Sequence, residues 1–224
     1  MKFENILFDL DGTIIKSDRG VTIGIERSLK AIGIDVVDKS TLLKFLGPPL
    51  YESYTKYYNI TDEEYSKALD VFHDYYRSKG IFECEIYAGI EKTLARLKEA
   101  GAKLYIATSK PEREARRIIE HFNLEKYFDF IGGSDGDYGT DRCTKTAVME
   151  YVLDKANIQD KSKVLMVGDR FHDIEGAKNL GVSCLSVLYG YGNLKEFEEY
   201  KTDYIVESTE DIADFIIKGL SNIK

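Results

Sequence analysis

The residues whose types and spacing carry the most chemistry are Asp9 and Asp11, in the segment Asp9-Leu10-Asp11-Gly12-Thr13 directly behind an apolar run, Asn5-Ile6-Leu7-Phe8. On an extended strand residues i and i+2 face the same side, so both carboxylates can address one ligand. Gly12 lets the backbone turn sharply and brings N–H groups close to an anion. Thr108 and Ser109 close a second apolar run that starts at Lys103, and Asp169 follows a run from Val164 to Gly168. Asp173 comes four residues later, and Lys145 opens a helical pattern between the second and third of these runs. Carboxylates gathered from two strand ends raise one another's pKa and call for a cation. An oxygen-rich acidic pocket that keeps some waters suits Mg²⁺, bound beside a phosphate.

That set of groups suits attack on phosphorus. One carboxylate of the Asp9/Asp11 pair attacks, giving an acyl phosphate, and the other protonates the leaving oxygen and then takes a proton from water. Attack by an anion on a phosphate dianion needs positive charge, which Mg²⁺ and the Lys145 ammonium would supply. The Thr108 hydroxyl and nearby N–H groups would bind the remaining oxygens.

The elements that must position these groups follow from periodicity. Nearly continuous apolar runs at Asn5–Leu10, Lys103–Thr108, Val164–Gly168 and Val182–Leu188 read as strands buried on both faces, with Phe128–Ile131 and Tyr204–Val206 as shorter candidates. Helical patterns lie between them, at 90–100, from Pro111 to Phe122, at 144–156, 173–180 and 209–220. The alternation predicts an α/β fold built on a doubly wound parallel sheet, whose sites lie at the carboxyl ends of strands. One interval breaks the rhythm. From the first strand to Ile90 there is no convincing strand; instead an amphipathic stretch runs from Val21 to Ile32, and Thr61-Asp-Glu-Glu64 is a capping box opening a helix to about Ser78. The surplus over a simple crossover, Lys16 to Cys84, predicts a small α-helical domain inserted into a core formed by 1–15 and 85–224.

The chain has 224 residues and a formal net charge of −8, with 43% hydrophobic and 31% charged residues, which is globular composition. Cys84, Cys143 and Cys184 are odd in number and contain no CxxC pair, which argues against a disulfide framework or thiolate zinc and suits a reducing, cytoplasmic setting. No run is long enough to span a membrane, and no basic block suits a nucleic-acid polymer. A monomer is the expected state, with a homodimer as the alternative.

The motifs as they stand resemble the haloacid dehalogenase-like hydrolase superfamily over essentially the whole length. Its first motif, DxDGT, stands as Asp9 to Thr13; the second, a Ser or Thr ending a strand, as Thr108; the third, a lysine, as Lys145; the fourth, GDxxxD, as Gly168-Asp169-Arg170-Phe171-His172-Asp173. The resemblance implies a Rossmann-like core, Asp9 as nucleophile and Asp11 as general acid/base. It also implies Mg²⁺ held by Asp9, the Asp11 carbonyl and Asp169, with Asp173 supporting that shell. Gly12, Thr108, Ser109 and Lys145 would bind phosphate. The helical insert is similar to the cap of the phosphoglycolate phosphatase and 5′-nucleotidase-like branch, with Gly47-Pro48-Pro49 expected as a stiff loop over the site. The implied activity is a Mg²⁺-dependent phosphomonoesterase acting on phosphoglycolate or a nucleoside 5′-monophosphate. The alternatives are a phosphomutase of the β-phosphoglucomutase type and a non-catalytic binding protein on the same fold.

Several side chains have blander readings. Lys110 competes with Lys145 for the third motif, and motif order favours Lys145. Arg142 and Arg170 serve either as substrate contacts or as surface charges, with Arg142 carried as a substrate candidate. His172 reads as a surface or hinge histidine, and the tyrosines of the insert as its small core rather than a base-stacking platform. The cysteines read as small hydrophobes.

Overall fold

The computed structural model describes residues 1–48, 50–136 and 140–219. The elements are β1 (Asn5–Phe8), β2 (Ile15–Lys16), α1 (Asp18–Ala31), α2 (Leu50–Tyr58), α3 (Asp62–Ser78), β3 (Glu85–Ile86), α4 (Ile90–Glu99), β4 (Lys103–Pro111), α5 (Glu112–His121), β5 (Phe130–Ser134), α6 (Lys145–Lys155), β6 (Val164–Gly168), α7 (Phe171–Leu180), β7 (Ser183–Val187), α8 (Leu194–Glu199), β8 (Tyr204–Val206) and α9 (Thr209–Lys218), with short 3₁₀ turns between. The chain divides into two compact units, one of 1–15 and 86–224, the other of 16–85.

In the first unit six strands form a sheet in the order β5-β4-β1-β6-β7-β8, every neighbouring pair parallel. This is the doubly wound α/β fold that the apolar runs predict. Strands buried on both faces explain those unbroken runs: Ile6, Leu7, Phe8, Leu104, Ile106, Leu165, Met166 and Val167 are all fully buried. Leu7, Tyr105, Ala107, Val164 and Met166 meet Val148, Met149 and Val152 of α6 and Ile174 and Ala177 of α7. Burying each such side chain contributes about 1.5–3 kcal/mol, which fixes the sheet's register. The chain winds outward from β1 through β4 to β5, then returns past β1 to β6, so the direction of winding switches beside β1.

The second unit is helical. The predicted capping box opens α3: the Thr61 hydroxyl accepts from Glu64 N at 3.3 Å and Glu64 Oε2 accepts from Thr61 N at 2.8 Å. Its core is aromatic, with Phe45 edge-on to Tyr54 at 5.1 Å between ring centroids, Tyr51 to Tyr65 at 5.0 Å and Phe72 stacked on Tyr76 at 5.1 Å. Tyr54, Tyr75 and Tyr76 are buried, and the Tyr54 and Ser28 hydroxyls share a hydrogen bond.

Three details differ from the sequence expectation. Two strands, β2 and β3, pair with each other inside the interval read as strandless; two-residue strands are too short to carry a period. Pro111 ends β4 in extended backbone (ψ 131°) and caps α5 rather than lying within it. Helix α7 starts at Phe171, two residues before Asp173, because the Asp173 carboxylate accepts from Arg170 N at 3.1 Å and so occupies the third helical position. Pro49 and Leu220, named in the sequence reading, lie outside the described residues. Among the described residues no helix is long and apolar enough to cross a membrane.

Candidate active site

Register assembles the site. Phe8 pairs with Ile106 on β4 and with Val167 on β6, so these three positions on adjacent strands stand at one level, although β4 runs on to Pro111. Asp9 N continues the ladder to Val167 O at 2.9 Å. Asp9 follows that level directly, and Thr108 and Asp169 each lie two residues beyond it, towards the carboxyl ends of the strands and beside the switch in winding.

Behind β1 the chain turns back on itself. Gly12 N donates to Ile15 O at 2.8 Å, and Gly12 has φ +83°, a conformation open to glycine. A Cβ there would also lie 2.1 Å from Asp169 Oδ2, so the turn is pressed against the second acidic strand end.

Lys145 lies at the start of α6 and is buried. Its Nζ is 2.7 Å from Asp9 Oδ1 and 2.8 Å from Asp173 Oδ1, and donates to Ala107 O at 3.1 Å. Burial would lower its pKa, but Asp173 and Asp9 overcome this and hold the ammonium well above its ordinary range. Carboxylate oxygens of Asp9, Asp169 and Asp173, all buried, lie within 4.8 Å of one another. Burial pushes Asp9 up to about 6 against the pull of Lys145, with Asp173 and Asp11 adding to the rise. Asp169 is pushed well above the usual carboxylate range by burial, by Asp9 and by Asp173. One ammonium, paired with Asp9 and Asp173, stands against these three buried carboxylates, which leaves an excess of two negative charges when all are ionised. That donor set, all oxygen and under-compensated, fits a hard divalent cation such as Mg²⁺.

The remaining sequence candidates fall into three groups. Thr108 is buried on β4, its hydroxyl accepting from Lys110 N at 3.2 Å, and Ser109 follows it half-buried on the same strand. Asp11 meets Lys110, whose Nζ lies 3.1 Å from Oδ2. The two lysines that compete in sequence thus hold different carboxylates, Lys145 on Asp9 and Lys110 on Asp11. Arg142 instead stacks on Tyr151, 3.7 Å from the ring centroid, with its guanidinium 3.6 Å from Glu112 and its backbone N–H on Asp135. None of those partners belongs to the carboxylate group. Gly47 and Pro48 lie in the helical unit.

The segment after β7, to which the sequence assigns no role in the site, forms a third layer. Tyr191 N donates to Asp169 Oδ2 at 2.7 Å, and the Tyr189 hydroxyl to Thr13 O at 2.8 Å. A Cβ on Gly190 would come within 2.4 Å of Asp169 Cβ and of Gly12 O, so only glycine lets this segment lie against both acidic strand ends. Glu196 accepts from Arg170 Nε at 3.1 Å and Phe171 N at 2.7 Å, fixing the loop that carries Asp169 and Asp173. This accounts for Arg170 as an anchor of the loop. His172 is largely buried, and burial together with Lys145 pushes it down to about 4. The sequence signal for this layer is the alternation Tyr189-Gly190-Tyr191-Gly192 behind an apolar run.

A parallel sheet in this order, with an aspartate behind β1, a hydroxyl in the carboxyl-terminal half of β4, a helix lysine and paired aspartates after β6, defines a hydrolase of the haloacid dehalogenase-like type. Residues 6–187 match that family, and the chain belongs to it. Among its relatives are a 5′-nucleotidase of Pseudomonas aeruginosa, 36% identical over 90% of each chain, and a phosphoglycolate phosphatase of Aquifex aeolicus, 31% identical over 84% of this chain and 86% of the relative. A tyrosine-protein kinase, PtkA of Mycobacterium tuberculosis, is 32% identical over 91% of this chain and 68% of its own length. The crystal structure of a predicted phosphatase from Clostridium acetobutylicum superimposes with a TM-score of 0.91 at 38% identity, covering 97% of this chain and 100% of the other.

Proposed function

We propose that the protein is a Mg²⁺-dependent phosphomonoesterase for a small phosphate monoester of the phosphoglycolate or nucleoside 5′-monophosphate class. The observation that carries this is the Asp9 carboxylate, set at the end of β1 with an ammonium 2.7 Å away and Asp169 and Asp173 beside it. In the first step an Asp9 oxygen bonds to phosphorus as the ester P–O bond breaks, and Asp11 gives its proton to the departing oxygen. In the second, water attacks phosphorus, the bond to Asp9 breaks, and Asp11 takes the water's proton. Lys145 holds Asp9 in place and, with the Thr108 hydroxyl, Ser109 and the N–H groups of the Gly12 turn, offsets charge on the phosphoryl oxygens. Asp9, the Asp11 carbonyl, Asp169 and Asp173 would hold the metal, which when bound supplies the charge neutralisation that lets an anion approach a phosphate. The helical insert of 16–84, with Gly47 and Pro48, belongs to the same proposal as the selector of the leaving group.

The test is release of inorganic phosphate from a panel containing phosphoglycolate, sugar phosphates, pyridoxal phosphate and nucleoside monophosphates. Activity should require Mg²⁺, vanish with a chelator and vanish in Asp9→Asn at unchanged secondary structure. Full turnover by Asp9→Asn would sink the assignment, and isomerisation without phosphate release would favour a mutase.

A further inference from the structure

The Lys145 ammonium contacts Asp9, Asp173 and the Ala107 carbonyl. The cation on Asp11 is Lys110, at 3.1 Å from Oδ2, with side chains only 9% and 17% exposed for the lysine and the aspartate. The other oxygen, Oδ1, is buried and has no hydrogen-bond partner among the described residues. Asp11 is thus pinned through one oxygen and unengaged at the other.

The backbone is shaped to deliver this lysine. Pairing of β4 with β5 slips between Thr108 and Pro111, and such an irregularity bends a strand and re-aims its side chains. Lys110 N donates to the Thr108 hydroxyl within the slip, at 3.2 Å. On β5, a Cβ at Gly133 would lie 2.5 Å from Lys110 O, so a bare backbone there makes room for the slipped strand.

We propose that Lys110 is a positioning residue for Asp11. It fixes the carboxyl through Oδ2, so that Oδ1 is the oxygen that passes the proton to the leaving group as the ester P–O bond breaks. This rests on the phosphomonoesterase reading and adds a second lysine with a separate task. An ammonium held by a half-buried carboxylate is a charge-assisted contact that locks a rotamer, which a neutral side chain of similar length does not reproduce.

The distinction is measurable through the leaving group. An alkyl ester needs a proton on its departing oxygen, whereas p-nitrophenolate leaves without one. The ratio kcat/KM reports steps through ester cleavage, so hydrolysis of the phosphoenzyme, common to both esters, drops out. For Lys110→Met, kcat/KM on a nucleoside 5′-monophosphate should fall by about 100-fold, while on p-nitrophenyl phosphate it stays within about threefold of wild type. Lys110→Arg, which keeps the charge, should recover the alkyl ester to within about tenfold of wild type. Equal losses on both esters, no loss on either, or an Arg variant as impaired as Met would overturn the proposal. A wild-type protein that releases phosphate neither from these esters nor from any other ester of the panel above would instead overturn the phosphomonoesterase reading itself.

Discussion

The Tyr189 hydroxyl donates to the carbonyl of Thr13 at 2.8 Å, a bond between residues 176 positions apart. It ties the segment after β7 to the turn that carries Asp11, and the Tyr189 ring packs on Tyr87 at 4.8 Å between centroids. Burial, Asp169 and Tyr87 all push the phenol well up, so it stays a donor across the working pH range. Tyr189→Phe keeps the ring and removes the bond, leaving a carbonyl unsatisfied at a cost of about 1–3 kcal/mol. The expected result is a folded protein with kcat lowered about tenfold, a barrier change of about 1.4 kcal/mol. Unchanged kcat would show that this bond does not hold the turn in its working geometry.

Lys145 leads to a prediction about stability as well as rate. Removing one partner of a buried ion pair costs about 3–5 kcal/mol, because the remaining charges stay buried without compensation. In Lys145→Met three acidic groups would crowd with no ammonium among them. The metal-free variant should melt well below wild type, and millimolar Mg²⁺ should raise its melting temperature by more than it raises that of wild type. Phosphatase activity should be lost in either condition. Equal Mg²⁺ shifts in the two proteins would argue that the carboxylates of Asp9, Asp169 and Asp173 do not gather around the cation.

Away from the site, Asp129 gives a pH test of the fold. Its carboxylate accepts from Leu104 N at 2.9 Å and from Lys98 Nζ at 2.8 Å, tying the start of β5 to β4 and α4. Burial pushes this carboxyl up, but Lys98 and the Leu104 N–H outweigh it and hold the group below the usual carboxylate range. A carboxyl depressed in the folded state contributes stability above its unfolded pKa and loses it as pH falls through the folded one. Asp129→Asn should therefore be less stable than wild type at neutral pH, by about 1 kcal/mol. The gap should close on acidification below about pH 4, measured by urea unfolding at each pH. A gap that is constant or widens there would overturn this account.

Much of this protein is fixed by local pattern. Strands buried on both faces must be apolar throughout, so β1, β6 and β8 are legible as runs, and the parallel sheet follows from their alternation with helices. The acidic strand ends are equally legible, because Asp9, Asp11 and Asp169 stand just behind apolar runs, where open sheets place their ligands, with Asp173 four residues after Asp169. The capping box at Thr61 to Glu64 is local too and is found where the sequence puts it.

What local pattern does not contain is the pairing of groups distant in the chain. Lys110 and Lys145 look alike as lysines near strand ends. Only the slip in β4 and the burial of the α6 N-terminus assign one to Asp11 and the other to Asp9. Arg142 reads in sequence as either a substrate contact or a surface charge, and only the fold shows that it packs on Tyr151 beside Glu112. The clamp formed by Tyr189, Gly190, Tyr191 and Glu196 has no signature beyond alternating glycines. Its meaning lies in approaches of a few ångströms to Gly12, Thr13 and Asp169, set by the order of strands in the sheet. Sequence determines which residues can carry charge to the sheet's edge, and the tertiary fold decides which charges meet, because Coulombic and hydrogen-bond energies depend on distances that no spacing along the chain records.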